Sequence, residues 1–532
     1  MSAPAIVPAP ASIETLEGIE FVLEPNISIA VDASQSLPVG EYLADLLRRP
    51  TGYPIPVASQ ARQASEARRA RQARQGPNGA TQGDPRAERS EASRGAISLV
   101  LSGSQEFGRE GYRLEVARAG IRLTGSTPEG LFRGIQTILQ LLPARIESAS
   151  VQPGPWTVPG VRIVDRPRWA WRGSMLDVAR HFISVAAVKR HIDLSSRYKL
   201  NVLHLHLSDD QGWRIHIDRW PRLAEHGGSL EVGGTKGDHY TKDDYREIVA
   251  YAAERHITVV PEIDMPGHTR AALASYPELN CDGRPRPLYT GTDVGISSLC
   301  VGKEVTYEFV EDVVAEIAEL TPGPYFHIGG DEAAHTSLSE YISFVKRAEE
   351  IVRRHGKSML GWEEICKAEL SPGSVVQFWN NGSGSPAGPT LARRAVEHGL
   401  KLVMSPSDRV YLDMKYDAST PLGTEWAGFI DVRRAYEWDP LDYIPEVGES
   451  DIMGVEAPLW TETITDSSEL EYMVWPRLAG IADVGWSPAP LAWDEYRGRL
   501  AAQGPRWRIM GVNFFQSPQV PWERSSDGAA GP

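Results

Sequence analysis

Cysteine is nearly missing from this chain. Cys281, Cys300 and Cys366 are the three present in 532 residues, too few for a disulfide framework and without metal-ligand spacing. Cys281 and Cys300 could close one loop, and free buried thiols fit the sequence equally well. Positive charge is in deficit too. Lys and Arg total 55 against 70 Asp and Glu, giving a formal net charge of -15, which excludes the basic face a nucleic acid requires and disfavours an anionic membrane surface. No apolar run reaches the roughly 18 residues that would span a bilayer. The start, MSAPAIVPAPASIETLEG, lacks the basic segment and apolar stretch of a secretory signal, so the chain as written is expected in the cytoplasm.

Its length implies two or three folded units with at least one large core. Residues 1–158 carry strand-like runs at Phe21–Leu23 and Ile97–Leu101 and an amphipathic segment around Leu131–Leu142, the pattern of a small α+β domain. It is interrupted at about 60–95 by a stretch with eight arginines, four acids and no apolar side chain larger than Ala, read as a disordered, solvated insertion rather than a nucleic-acid patch. Residues 159–515 alternate apolar runs with longer helical patterns, and 516–532 read as a flexible tail. The apolar runs are Gly173–Leu176, Val202–Leu207, Thr258–Val260, Tyr325–Ile328, Ser358–Leu360, Val375–Phe378, Lys401–Met404 and Met453–Ala457. Eight of them separated by helices predict an α/β fold, a (β/α)8 barrel with its chemistry at the C-terminal strand ends.

Those strand ends carry Asp177 with Arg180 and His181, then Asp209 with Asp210, then Glu262, Asp264 and His268, and then Asp331 with Glu332. Trp362, Trp379, Tyr411 with Asp413, and Trp460 with Glu462 follow the rest. A rim of indoles, carboxylates and a guanidinium suits a sugar, whose ring has an apolar face and a hydroxyl edge. His204 and His206 share one strand face with acids nearby, but they fall inside the strand and have no third nitrogen or sulfur ligand at suitable spacing, so no metal is expected.

Asp331 and Glu332 are neighbours, whereas a two-carboxylate retaining glycosidase sets its acid and its nucleophile about 5 Å apart across the scissile bond. A better division makes Glu332 the general acid and Asp331 the partner of a 2-acetamido N–H, whose carbonyl oxygen attacks the anomeric carbon. Trp362, Trp379 and Trp460 would wall the acetamido slot and Tyr411 would donate to the carbonyl. Glu332 must be protonated as acid and charged as base, so its proton should be held by burial and by the like charge of Asp331. His268 and Asp209 would complete a carboxylate–His–carboxylate relay behind it, although His268 after Pro266-Gly267 also fits a loop-capping histidine.

The stretches MLDVARHF, YKLNVLHLHLSDDQGWRI, VVPEIDMPGHTRAAL, YFHIGGDEA, Gly361-Trp362-Glu363, Gln377-Phe378-Trp379, YLD and LWTE span about 170–465. In that order they resemble glycoside hydrolase family 20, the β-N-acetylhexosaminidases, and most of all secreted bacterial members of actinomycete type. The resemblance implies Glu332 as acid/base, Asp331 as the acetamido-orienting residue and Tyr411 as its partner. It implies Trp362, Trp379 and Trp460 as pocket walls, Arg180 and Glu462 on the outer hydroxyls, Asp413 near the primary hydroxyl, and Trp426 stacked on the leaving-group sugar. Asp209 and His268 would support Glu332.

It further implies a non-catalytic N-terminal α+β domain, no cofactor, and a Cys281–Cys300 disulfide that would place the enzyme in an oxidising compartment. The expected partner is an oligosaccharide or glycoconjugate ending in N-acetylhexosamine, with neither nucleic acid nor membrane involved. Two rivals remain: a sugar-binding barrel without turnover, and a conventional retaining glycosidase with Glu262, Glu363 or Glu462 as nucleophile. Natural glycan, GlcNAc against GalNAc preference and oligomeric state are not decided by the sequence.

Overall fold

The computed structural model describes residues 4–59, 96–380, 387–488 and 492–522. The arginine-rich insertion expected at 60–95 lies outside the described residues, as does most of the expected tail. Two compact units are present, one comprising Met1–Arg168, Trp486–Val512 and Val520–Pro532, the other Trp169–Gly485 and Asn513–Gln519.

In the first unit seven strands form one mixed sheet: β1 (Ser12–Val22), β2 (Ser28–Val31), β3 (Val57–Ser59), β4 (Ala96–Leu101), β5 (Tyr112–Ala117), β6 (Gly120–Gly125) and β7 (Thr157–Asp165), in the order β1-β7-β5-β6-β4-β2-β3. Strand β5 alternates buried Tyr112, Leu114 and Val116 with exposed residues, as a sheet with one solvated face requires. Two helices contribute to its core, α1 (Leu37–Thr51) and α2 (Pro128–Leu141). Helix α2 starts where Thr127 accepts from the Gly130 N–H and Pro128 sets the first turn, two features that fix a helix start. Its Leu131, Ile135, Ile138 and Leu139 are buried in this core, each worth about 1.5–3 kcal/mol when fully removed from water.

The expected barrel boundary at 159 needs correction, because β7 pairs antiparallel with β1 and β5 and so completes the N-terminal sheet. Trp486–Val512, expected within the barrel, also groups with the first unit. The Arg506 guanidinium there donates to the carbonyls of Leu139, Gln140 and Leu142, satisfying acceptors that the end of α2 leaves open.

The second unit is a closed barrel of eight parallel strands: β8 (Trp171–Asp177), β9 (Val202–His206), β10 (Thr258–Glu262), β11 (Tyr325–His327), β12 (Ser358–Trp362), β13 (Val375–Phe378), β14 (Lys401–Met404) and β15 (Ile452–Leu459). All eight expected runs are strands. Strands β10, β12 and β15 each run two residues past the expected end; Pro261 pairs with Leu205 and β10 continues to Glu262. Helices α3 (Val185–Arg197), α4 (Lys242–Ala253), α5 (Glu304–Leu320), α6 (Leu338–Arg354) and α7 (Ala387–Glu397) follow β8, β9, β10, β11 and β13. Capping boxes Thr241–Asp244 and Ser337–Glu340 start α4 and α6 by satisfying the first free N–H groups. Between β12 and β13 the regular helix is replaced by a short 3-10 turn, Glu363–Lys367.

Inside the barrel, Trp171, Val202, Val260, Leu360, Val375 and Val403 form an apolar layer. Two residues further along β9, β10, β12 and β13, on the same inward face, stand His204, Glu262, Trp362 and Gln377, all buried. The period of two thus turns an apolar floor into a polar layer directly beneath the rim.

Candidate active site

The loop after β11 sets the geometry. Gly329 and Gly330 have φ of +65° and +100°, and a Cβ on Gly329 would lie 1.9 Å from Asp264 Oδ1, so only glycine fits there. The Gly330 N–H donates to the same oxygen at 3.1 Å. Glu332 and His268 also lie in the left-handed region, at φ +47° and +52°. For residues with a Cβ that costs about 1–3 kcal/mol each, strain that clusters at functional sites.

A cavity of about 450 Å³ opens at the C-terminal strand ends. Asp331, Glu332 and His268 line it, and Arg180, Asp413 and Glu462 supply the other ionisable acid and base groups beside the Tyr411 hydroxyl. Trp362, Trp460, Tyr411, Trp379 and Trp426 wall it as a chain of rings. Neighbouring centroids are 5.9 Å apart for Trp362–Trp460, 6.3 Å for Trp460–Tyr411, 6.5 Å for Tyr411–Trp379 and 6.1 Å for Trp379–Trp426. Trp362 is 1% exposed and Trp426 57%; the slot is closed at one end and open at the other. Eleven of the twelve residues expected in the site therefore face this cavity. The twelfth, Asp209, stands behind His268.

His268 Nδ1 lies 3.1 Å from Asp209 Oδ1, and its Nε2 lies 3.3 Å from Glu332 Oε2 and 3.6 Å from Asp331 Oδ2. Burial opposes charge on His268, but Asp209 and Asp331 outweigh it and hold the imidazolium well above the ordinary histidine range. Asp209 is also buried, yet Arg180 and His268 keep it ionised; Arg180 Nη2 meets it at 2.8 Å. Asp331 is pushed up to about 6 by burial, with the Glu332 and Glu262 carboxylates adding to the shift against His268. Burial and Glu462 push Asp413 up to about 8, so at neutral pH it can both donate to and accept from a hydroxyl.

Two of the three rival nucleophiles are tied up away from the cavity. Glu262 is 0% exposed and accepts from Trp362 Nε1 at 3.0 Å while pairing with His206 at 2.6 Å. Glu363 is buried and accepts the backbone N–H groups of Trp379 and Asn380 at 2.8 and 3.2 Å. Glu462 does face the cavity, within electrostatic reach of Arg180. His204, Glu262 and His327 bring possible metal-ligand atoms within 4.8 Å of one another. The ligand atoms are already engaged: His204 pairs with Glu262 at 3.0 Å and with Glu456 at 2.8 Å.

Residues that sequence reasoning left out of the site also line or support it. Thr292 and Val294 reach the cavity from the segment between Cys281 and Cys300, a region without local periodicity. Asp177 was noted as a strand end but given no role. Its carboxylate accepts from the Ala179, Arg180 and Thr461 N–H groups at 2.8, 3.1 and 3.0 Å, fixing the loop that carries Arg180 beside Trp460.

A closed parallel barrel whose rim pairs a carboxylate with an acid in an indole-walled pocket defines a glycoside hydrolase. Residues 169–489 match the glycosyl hydrolase family 20 catalytic domain and residues 3–166 match domain 2 of that family, so the chain belongs to glycosyl hydrolase family 20. It is 41% identical over 530 residues to the beta-N-acetylhexosaminidase of Cellulomonas fimi, covering 99% of each chain. The solved GH20 beta-N-acetylhexosaminidase from Streptomyces coelicolor superposes with a TM-score of 0.89 at 51% identity, over 98% of this chain and 100% of that one. The Streptomyces plicatus N-acetyl-beta-hexosaminidase bound to Thio-NAglucal gives 0.89 and 51%, over 98% of each. Family, barrel and enzyme class are those the sequence led us to expect.

Proposed function

We propose that this family 20 enzyme is a retaining exo-β-N-acetylhexosaminidase that removes terminal GlcNAc or GalNAc, with the substrate's acetamido group as nucleophile. The observation that carries this reading is the pairing of Asp331 and Glu332 at one closed indole-walled slot while Glu262 and Glu363 are bound elsewhere. The acetamido oxygen attacks the anomeric carbon as Glu332 protonates the departing glycosidic oxygen. Asp331 accepts from the acetamido N–H and offsets the positive charge of the oxazolinium, and Tyr411 donates to the acetamido oxygen. Water then attacks the same carbon, Glu332 takes its proton, the ring opens to the acetamide, and two inversions give net retention.

Closure at the Trp362 end admits one sugar and supports exo action; openness at Trp426 leaves room for the leaving group. A mutant Streptomyces plicatus enzyme solved with its product GlcNAc supports GlcNAc as a sugar that this enzyme releases. The Cys281–Cys300 disulfide is formed, which supports work in an oxidising compartment rather than the cytoplasm. No helix among the described residues is long and apolar enough to cross a membrane.

The test is hydrolysis of 4-nitrophenyl N-acetyl-β-glucosaminide beside the β-glucoside that lacks the acetamido group, in wild type and Asp331→Asn. A strong preference for the acetamido sugar that the variant loses is expected. Equal turnover of both sugars points to Glu462 as a protein nucleophile, and failure of a thiazoline mimic to bind rejects acetamido participation.

A further inference from the structure

Glu262 is a buried carboxylate with no place in the cavity, and its two oxygens face different parts of the machinery. Oε1 accepts from the Trp362 indole N–H at 3.0 Å, and Trp362 is the closed end of the slot. Oε2 lies 2.6 Å from His206 Nδ1, and His206 Nε2 lies 3.0 Å from Asp209 Oδ2. From Asp209 the chain continues through His268 to Glu332. One unbroken line of polar contacts therefore runs from the slot wall to the group at the scissile bond: Trp362, Glu262, His206, Asp209, His268, Glu332.

We propose that Glu262 and His206 are positioning residues for hydrolysis, a buried pair that fixes the acetamido wall and the relay behind the general acid in one register. A carboxylate removed from water must be paired and hydrogen-bonded to persist. Beside its contacts to His204 and His327 at 3.0 and 2.9 Å, the pairing reaches two groups that have to be in place at the same instant: directly, the indole that holds the attacking amide and, through His206 and Asp209, the imidazole that holds the acid. A misplacement of about 1 Å in either can cost on the order of 100-fold in rate. Neither residue touches substrate. Both act through Trp362 and Asp209.

Glu456 provides the comparison. It is equally buried in the same polar layer and accepts from Trp171 Nε1 at 2.8 Å and from Gln377 Nε2 at 2.9 Å, but it meets the line only through His204. Loss of its charge tests what a buried carboxylate of the same layer does when it contacts neither Trp362 nor the relay directly.

The inference rests on Glu332 being the acid, so Glu332→Gln is the reference. Wild type, Glu332→Gln, Glu262→Gln, His206→Gln and Glu456→Gln are assayed as full chains on diacetylchitobiose, a poor leaving group, and on an activated dinitrophenyl N-acetyl-glucosaminide. In Glu262→Gln and His206→Gln, kcat on diacetylchitobiose should fall on the order of 10- to 100-fold, at or below the low end of general-acid contributions because Glu332 itself is kept. In His206→Gln the loss on the activated glycoside should be under about threefold, whereas Glu262→Gln, which also alters the acetamido wall, should lose on both substrates and more on diacetylchitobiose. Glu262→Gln should in addition bind a thiazoline mimic about tenfold more weakly, because its hold on Trp362 is altered. Glu456→Gln should lose melting temperature with equal kcat losses on both substrates. Equal losses on both substrates in His206→Gln, matching Glu456→Gln, or unchanged thiazoline binding in Glu262→Gln, would overturn the inference. Equal losses in Glu332→Gln would instead overturn the acid assignment beneath it.

Discussion

Asp331 and Glu332 are joined by one peptide bond and live in different surroundings. The Asp331 side chain is 12% exposed and that of Glu332 32%, so the first suits a fixed charge and the second a group that must exchange protons with substrate and water. Asp331→Asn keeps the shape and removes the charge that the proposed mechanism sets opposite the oxazolinium. The expected loss in kcat is on the order of 10²–10³-fold, as for other deletions of charge stabilisation, and near-normal kcat would show that the charge is not used. Because Asp331 is pushed up to about 6 in the free enzyme and the proposed mechanism uses its anion, kcat/KM should decline as pH falls below about 6, since the protonated fraction grows there. A flat kcat/KM from pH 7 to 5 would contradict that assignment.

At the level of the elements, the β11 loop depends on two glycines and one long-range acceptor. In Gly329→Ala the new methyl meets Asp264 at 1.9 Å in a left-handed backbone. The expected cost is about 2 kcal/mol or more with a large drop in kcat, read by denaturant melting and assay together. The disulfide closes a sequence separation of 19 residues, a loop worth about 3 kcal/mol by chain entropy. Double replacement of Cys281 and Cys300 by Ala should lower the melting temperature and raise KM, because Thr292 and Val294 of that loop line the cavity. An unchanged KM would mean that the loop holds its shape without the cross-link.

For the molecule as a whole, the two compact units do not follow chain order. Trp486–Val512 returns to the N-terminal unit, where Arg506 covers open carbonyls of α2 and Trp486 Nε1 donates to Asp165 Oδ1 at 2.9 Å. A chain ending at residue 488 is expected to expose the α2 end and to show faster proteolysis of residues 4–168 in particular. Equal protection of that region in the full and shortened chains would contradict this. The net charge of -15 fits a neutral glycan partner and predicts no retention on an anionic polymer at physiological salt.

Much of this was legible in the sequence. The barrel strands stand out because parallel strands buried on both faces are continuous apolar runs, and Gly329-Gly330-Asp331-Glu332 stands out because acids beside a glycine pair have few structural uses. Pro261 lies inside β10, for a proline can remain in a strand when the register spares its missing donor. The fate of Trp486–Val512 and the assignment of β7 to the first sheet had no local signal, since a strand or helix pattern does not say which neighbour it packs against. Residue types, their order and the fold class were thus determined by the sequence alone, because periodicity and turn chemistry are local. Which carboxylates are free to act was decided only by the tertiary structure. Glu262 and Glu363 are silenced, and Glu456 is held by His204 from 252 residues away, by contacts that exist only once the barrel has closed.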